Sequence, residues 1–496
     1  HSSRIFGRRM MKAKEKRDGL FARLLRPVEL TSGTPWRVIL AYSLPIMLSY
    51  LLQQIYIITD AVICGQVLSA EQVAGVNDTY SLTFIVLQFA FGCTSGFSVI
   101  TAGAVGRGDM RAARRSFMTQ VYLTLGISAL LTAVSIVFLP QLLGLVNVTR
   151  TNPEVYEAAY SYCVVIFIGI VAQMGYNFIC GILRAYGDSV TPLVFLLIST
   201  ALNVGLDILF LVPFGWGPAG AAAATILTQL ISLIGCTVYT FLRYPDLRLR
   251  REDLKTDGAS VRSHIAQGIP LGLQFAILAI GIIAMSSAVV RFDLMDDGVM
   301  VPGTPAQNGY GAGVKLVNFL MAFFNGLGSA ILGYNAQNYG RGDLRRVKSG
   351  TLQSLVMMLI ISVVCFAVGA LLCIGGAYQY IFMSADKVSE RSIYFGNTFV
   401  MIDISLYFIL GFLIVVRAAV QGIMKVRFVL AAGTAELISR TLMCTFLPGI
   451  VNGAPTGATA SSAAYIALCF GDPVAWVLAS AALLIPLFGN IMREKP

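Results

Sequence analysis

The sequence has 496 residues, of which 56% are hydrophobic and only 12% are charged, with a formal net charge of +11 at pH 7. An ordinary soluble domain is roughly 45–50% apolar and about 25% charged, so this composition excludes a water-soluble globule. A bilayer core of about 30 Å requires about 20 apolar residues per helix, which leaves room for on the order of a dozen spans. The sequence therefore predicts an all-α polytopic membrane protein.

Long apolar runs, separated by charged or Gly/Pro-rich segments, divide the chain into twelve predicted transmembrane helices. Their continuous hydrophobicity favours helices, because strands of a membrane barrel alternate polar and apolar residues in segments of about ten. The predicted helices cover residues 36–63, 77–103, 116–146, 156–184, 190–213, 217–243, 264–291, 311–338, 350–376, 394–422, 427–451 and 461–491.

The two halves of the chain repeat the same plan. Residues 95–111 match residues 329–345, and each segment contains Gly-Arg-Gly-Asp, which we interpret as a tight turn between helices rather than an adhesion motif. Parallel six-helix repeats joined by a basic linker are typical of transporters in which one lobe moves against the other. The predicted domains are an N-terminal segment (1–35), an N-lobe (36–243), a linker (244–263) and a C-lobe (264–491).

Basic residues are distributed asymmetrically among the connections. Thirty of the 36 Lys and Arg residues lie in the terminal segments, in the connections that follow even-numbered helices or near the helix ends beside them. Because positive residues favour the cytoplasmic side, both termini and the linker are predicted to be cytoplasmic, in the cell (inner) membrane. This asymmetry and the attraction of anionic lipid heads explain the net charge better than a nucleic-acid partner does.

The cysteines and histidines indicate neither a disulfide framework nor a metal centre. The nine cysteines are odd in number and lie in apolar runs, where we expect small buried hydrophobes. No Cys/His cluster has the spacing of metal ligands. We therefore expect no cofactor and no enzymatic activity.

Ionisable residues at membrane depth are candidate functional residues, because each costs roughly 2.5–3.5 kcal/mol or more. Asp60 and Asp207 fall in the outer half of their helices, in one layer with Asn203, Thr225 and Tyr162. Two carboxylates in such a layer need a proton or a cation. Neutral oxygens nearby suit Na⁺ or hydrogen-bond a carboxyl group, so the layer predicts a coupling site for H⁺ or Na⁺. The alternative is a helix cap at Asp60 and a lone interfacial Asp207.

The second repeat does not reproduce this set, since a 225-residue offset places Met285 opposite Asp60. We expect its ionisable residues to form two pairs, which serve as internal salt bridges or in substrate binding: Lys315 with Asp403, and Glu436 with Arg440. An acid already paired with a cation has little electrostatic reason to bind H⁺ or Na⁺. The coupling ion is therefore predicted to bind to the N-lobe alone.

Several short motifs occur along the chain: Leu-Pro at 44–45, Ile-Thr-Asp at 58–60 with Gly65, the turn at 106–109, Leu-Arg-Ala-Tyr-Gly-Asp at 183–188, Asn-Val-Gly-Leu-Asp at 203–207, Gly-Pro-Ala-Gly-Ala-Ala at 217–222 and Gln-Asn-Tyr-Gly-Arg-Gly-Asp at 337–343. Together they resemble the multidrug and toxic compound extrusion (MATE) family, in its DinF-like branch. The resemblance covers about residues 36–491 and implies twelve helices in two six-helix lobes. It also implies an N-lobe proton or cation site, with possible Na⁺ ligands at Asp60, Asn203, Asp207 and Thr225 and a helix 4 tyrosine at Tyr162.

Two features depart from the family pattern. NorM-like members place a cation-binding Glu in helix 7, a few residues after a Pro, whereas residues 271–278, which follow Pro270, contain no acid. This puts a NorM-type C-lobe site in doubt. The outer connection at 292–308 is also long for the family.

The resemblance implies a secondary active antiporter that exports organic cations or amphipathic drugs in exchange for H⁺ or Na⁺ by alternating access. We expect a monomer whose partners are small-molecule substrates and the lipid bilayer. Two other functions stay open. A flippase for lipid-linked oligosaccharides is expected to line its cavity with several cations, and Lys315 and Arg440 are few for that purpose. A membrane-embedded transferase is expected to have a membrane-facing His or an acidic metal motif, which this sequence lacks.

Overall fold

The structure is a computed structural model that describes residues 27–146 and 148–493, so most of the predicted N-terminal segment lies outside it. Twelve helical spans follow one another, and we label them α1 to α12. They are α1 (Pro35–Val67), α2 (Tyr80–Arg107), α3 (Met110–Val137), α4a (Pro153–Ile168), α4b (Ile170–Ala185), α5 (Val190–Leu211), α6 (Gly217–Arg243), α7 (Gly258–Val290), α8 (Pro305–Gly340), α9 (Leu344–Cys373), α10a (Glu390–Ser405), α10b (Tyr407–Gly422), α11 (Val426–Asn452), α12a (Ser462–Cys469) and α12b (Gly471–Pro486). Shorter helices, Ala70–Asp78, Leu139–Leu145 and Ala377–Phe382, lie in the connections.

Most of these spans have the length and hydropathy that a bilayer requires. Within the described residues, nine helical segments are long and apolar enough to cross a membrane, and the bent α4 and α10 raise the number to eleven. The exception is α11, which carries Glu436 and Arg440 and packs between α7 and α12b. All nine cysteines are buried, as predicted.

Three spans that the sequence predicts as continuous are broken. The two parts of α4 meet at 44°, and those of α10 meet at 54°. A Cβ at Gly169, where α4 bends, would collide with Ile226 of α6, so glycine permits this close approach. At the α10 bend, the Ser362 hydroxyl donates to the carbonyl of Tyr407. In α12b, Pro473 has no N–H to donate to the carbonyl four residues earlier, which favours the break between α12a and α12b.

The repeated Gly-Asp turns join α2 to α3 and α8 to α9 in the same way. Gly108 and Gly342 have φ values of 75° and 81°, a left-handed conformation that glycine adopts without steric cost. The following Asp109 and Asp343 cap the next helices, accepting hydrogen bonds from backbone N–H groups at 2.9 and 3.0 Å. The predicted tight turns are confirmed.

Helix caps also shift two predicted boundaries. The α7 helix begins at Gly258 instead of residue 264, because the Asp257 carboxylate accepts from Ser260 N–H at 2.6 Å. Asp293 is fully buried and accepts from the N–H groups of Ala306 and Gln307, both at 2.9 Å, so α8 begins at Pro305. The connection between α7 and α8 is correspondingly shorter than the predicted 292–308.

We call α1–α6 the N-lobe and α7–α12 the C-lobe, and we call the side of the α6–α7 connection the linker side. Among the described residues, the hydrogen bonds between helices of the two lobes lie in the linker-side half of the molecule. They join Trp36 to Gln353, Tyr50 to Ser329, Ser116 to His264, Thr119 to Ser260, and Gln337 to Ala185. In the part of the chain that the structure describes, the hydrogen bonds between helices of the two lobes are therefore confined to the linker-side half.

Two lead-in segments cross between the lobes on the linker side. The segment before α1 buries Leu30 in the C-lobe core, where Arg346 donates to the carbonyls of Leu30, Ser32 and Gly33 at 2.8–3.3 Å. The linker before α7 buries Leu247 in the N-lobe core. There the Arg114 guanidinium donates to Asp253 at 2.8 Å. Each lobe therefore holds the segment that leads into the other lobe.

Candidate functional site

The N-lobe site is built on α1, α5 and α6. Asn203 and Asp207 lie one turn apart on α5 and are 1% and 0% exposed. Asp60 lies on α1, which packs against α5, and its carboxyl group is close enough to that of Asp207 to interact directly. The structure thus brings together the two acids that the sequence places in one layer.

The polar atoms of this acidic pair lack protein partners. One oxygen of Asp60, both oxygens of Asp207 and the amide nitrogen of Asn203 are buried without a hydrogen bond. A buried carboxylate without a partner is strongly unfavourable, and two adjacent ones repel each other. The pair is chemically suited to share a proton or to bind a small cation, and these residues fit either ion.

Thr225 enters the site through a residue that the sequence analysis missed. The Tyr56 hydroxyl donates to Thr225 Oγ1 at 3.2 Å and thereby joins α1 to α6. Tyr56 lies one turn before Asp60 on the same helical face. This i, i+4 spacing could have identified Tyr56 in the sequence as a neighbour of Asp60. Tyr162, on α4a, is close enough to Asp60 and Tyr56 to interact with them electrostatically, so it belongs to the same group of side chains.

The C-lobe contains a larger charged cluster than predicted. Glu436 accepts from Arg440 at 3.2 Å, as predicted, and also from Arg417 of α10b at 2.5 Å. Arg440 in turn forms an ion pair with Asp472, at the start of α12b. Asp472 lies within the predicted span 461–491, so its position at membrane depth could have identified it as a candidate functional residue. Arg417 lies within the predicted span 394–422, but the sequence analysis counted it with the basic residues of the connection that follows.

The predicted pair between Lys315 and Asp403 is wrong. Lys315 is exposed, and its Nζ lies 6.0 Å from the ring centroid of Phe382. Asp403 is 2% exposed, has an unpartnered oxygen, and lies near Asp472 and Arg440. The break in α12, which the sequence analysis did not predict, places Asp472 in this cluster. The prediction that an ion pair with Lys315 neutralises Asp403 is therefore wrong.

Comparisons with known proteins agree with this architecture. Residues 45–209 and 298–447, more than half of the chain, match the family model described as MatE. The probable multidrug resistance protein YpnP of Bacillus subtilis is 29% identical over 324 residues, which are 65% of this chain and 69% of that protein. The FAD transporter of Shewanella oneidensis is 25% identical over 340 residues, 67% of this chain and 71% of that protein.

The fold is also that of a solved membrane transporter. A MOP superfamily transporter from Pyrococcus furiosus superposes with a TM-score of 0.80, covering 95% of this chain and 99% of its own. The sequence identity is 17%, so this likeness shows the fold alone. The predicted all-helical class with twelve helices is confirmed.

Proposed function

Because the chain belongs to the MatE family, we propose that it is a secondary active antiporter that exports small amphipathic molecules, organic cations and drugs among them, in exchange for H⁺ or Na⁺. The chain is a multi-pass membrane protein, and relatives are named as multidrug resistance proteins and as an FAD transporter. Transport rather than catalysis is therefore its proposed activity.

The observation that supports ion coupling is the unpartnered acidic pair Asp60 and Asp207. A proton or Na⁺ bound there removes the repulsion between two carboxylates in a low-dielectric layer. Asn203 and Thr225 offer further oxygen atoms for Na⁺ or for a carboxyl proton. Release of the ion restores the repulsion between the two carboxylates, so the ion-free N-lobe is less stable in this arrangement than the ion-bound N-lobe.

Alternating access follows if the two lobe arrangements bind the ion and the substrate with different affinities. The structure has its lobes bonded in the linker-side half, and we propose that this half is cytoplasmic because the connections there carry most of the basic residues. The described state is then closed toward the cytoplasm. We also propose that the protein works as a monomer in the cell (inner) membrane.

The test is ethidium efflux in vesicles with imposed proton or sodium gradients. We expect Asp60→Asn to abolish gradient-driven efflux, because the amide keeps the shape but neither exchanges a proton nor neutralises a cation. The matched control is Asp78→Asn, which changes an exposed acid at the C-terminal end of the short helix Ala70–Asp78. That control should transport at the wild-type rate.

Normal gradient-driven efflux by Asp60→Asn would refute the assignment of the coupling site. Wild-type vesicles that move neither ethidium nor other amphipathic probes under any gradient would refute the antiporter itself. Translocation of a lipid-linked sugar in those vesicles would instead support the flippase alternative.

A further inference from the structure

One face of α8 carries a row of accessible polar side chains. Lys315 and Asn318 are exposed, and Asn325 and Ser329 are half-buried. Their spacings of three, seven and four residues place them on one stripe of the helix. The rest of α8 is largely buried against α9 and α10a and against α1 and α2 of the N-lobe. The exposed polar surface of this otherwise packed helix is therefore concentrated along this stripe.

The stripe faces the gap between the lobes. At its linker-side end, Ser329 hydrogen-bonds the hydroxyl of Tyr50 in the N-lobe at 3.2 Å. From Ser329 the stripe continues toward the far side, where the helices of the two lobes make no hydrogen bond within the described residues. A lysine and two asparagines facing lipid would be costly, whereas they are readily hydrated in an interlobe cleft.

Lys315 gives this cleft a positive charge beside aromatic surfaces. Among residues 27–146 and 148–493, no acidic side chain forms an ion pair with it. Its Nζ lies over the Phe382 ring, and Phe382 is stacked on Phe319 with their ring centroids 6.1 Å apart. Asp207, by contrast, is 0% exposed inside the N-lobe. A solute in the cleft therefore meets an ammonium group, whereas the Asp207 carboxylate is buried away from it.

We propose that Lys315, with Asn318 about one turn further along the same face of α8, binds the anionic group of an aromatic amphipathic substrate. The anionic group is a carboxylate, sulfonate or phosphate, since each accepts hydrogen bonds from an ammonium and from amide N–H groups. The Phe319–Phe382 pair provides the apolar surface for the aromatic part. This inference rests on the proposed transport function and narrows its substrate class.

The test compares two aromatic probes of opposite charge, fluorescein and ethidium, in gradient-driven vesicle efflux. We expect Lys315→Gln to reduce fluorescein efflux at subsaturating concentration by about tenfold or more, because a hydrogen bond to a charged group is lost. Ethidium efflux should change less than twofold. Lys315→Arg should restore fluorescein transport, and Lys315→Glu should favour ethidium over fluorescein.

The matched control is Lys387→Gln, which removes an exposed lysine from the far-side connection before α10a. Equal losses for both probes in Lys315→Gln, or fluorescein efflux at the wild-type rate, would overturn the inference. So would a wild-type protein that exports ethidium but not fluorescein. If the wild type exports neither these two probes nor any other amphipathic probe under any gradient, the proposed function itself fails. Equilibrium binding of fluorescein to purified wild type and Lys315→Gln then tests the site independently of transport.

Discussion

Buried acidic residues in this molecule differ in what satisfies them. Asp253 and Asp293 lie outside the long spans or at their ends, and each receives hydrogen bonds from backbone N–H groups or from an arginine. Asp207 is equally buried but receives none. A buried carboxylate that accepts hydrogen bonds stabilises the segment around it. A buried carboxylate without hydrogen bonds needs a bound proton or cation. This difference distinguishes structural acids from candidate ion-coupling acids.

Asp253 is expected to stabilise the linker in a pH-dependent way. Burial alone would raise its pKa, but hydrogen bonds from Arg250 N–H and Arg114 outweigh burial and lower it. A lowered pKa in the folded state stabilises the fold above the ordinary Asp value, and this contribution is lost as pH falls through the folded pKa. Asp253→Asn should lower the free energy of unfolding by about 3 kcal/mol at pH 7, and the deficit should shrink as the solution is acidified below about pH 4.

Chemical unfolding in detergent at several pH values measures this difference. Glu252→Gln is the control, because the Glu252–Arg111 pair is solvent-exposed at 3.4 Å and should contribute little. A deficit for Asp253→Asn that is constant from pH 7 to pH 3 would contradict the prediction.

At the scale of helices, the close crossing of α2 and α8 depends on glycine. A Cβ added at Gly106 would collide with the carbonyl of Gln337, and one added at Gly340 would collide with the backbone of Gly103. These contacts join the N-lobe to the C-lobe on the linker side. The glycines at this crossing let the backbones of α2 and α8 come into direct contact, so the two helices pack closely where the lobes meet.

Gly106→Ala should shift the protein toward a state that is open on the linker side. Overpacking at a tightly packed contact costs about 1–3 kcal/mol, which favours the open state by roughly five- to 150-fold. Spin labels on cysteines introduced at the exposed positions Arg111 and Arg345 report the opening as a longer distance, since the native cysteines are buried. Gly126→Ala, at a position with no atom near its Cβ, should leave the distance distribution unchanged. Identical distributions for the two variants would exclude a role for the crossing.

At the scale of the whole molecule, the two lobes are held by crossed lead-in segments. Arg346 of the C-lobe donates hydrogen bonds to the segment before α1, and Arg114 of the N-lobe donates a hydrogen bond to the linker before α7. Both arginines lie near the start of the helix that follows a Gly-Asp turn, Arg346 in α9 and Arg114 in α3. When the lobes separate on the linker side, the lead-in segments must move relative to the lobes that hold them.

Arg346→Ala should therefore increase the population that is open on the linker side, because it frees three backbone carbonyls from the C-lobe. The same pair of spin labels measures the change. Arg341→Ala, an exposed arginine in the adjoining turn, is the matched control. We expect the Arg114→Ala effect to add to that of Arg346→Ala, since the contacts are separate and favour the same closed state. A label distance that does not respond to Arg346→Ala would show that the segment follows its lobe without restraining it.

The sequence alone determined the features that depend on local composition and on resemblance. Long apolar runs predicted twelve helices, and the Gly-Asp repeats predicted two equivalent turns, because hydropathy and turn chemistry are written in neighbouring residues. Asn203 and Asp207 share one helix, so their common face also followed from spacing. Depth within each helix was enough to group them with Asp60, since every span crosses the same layer.

Only the tertiary structure decided which charged side chains meet. The sequence analysis paired Lys315 with Asp403, yet the structure separates them and brings Asp403 near Asp472 instead. The link from Tyr56 to Thr225 and the second arginine on Glu436 also join helices distant in the sequence. Depth fixes one coordinate of a side chain, whereas a contact requires the rotation, bend and lateral position of two helices. These are set by close packing across the whole bundle, which no local pattern specifies.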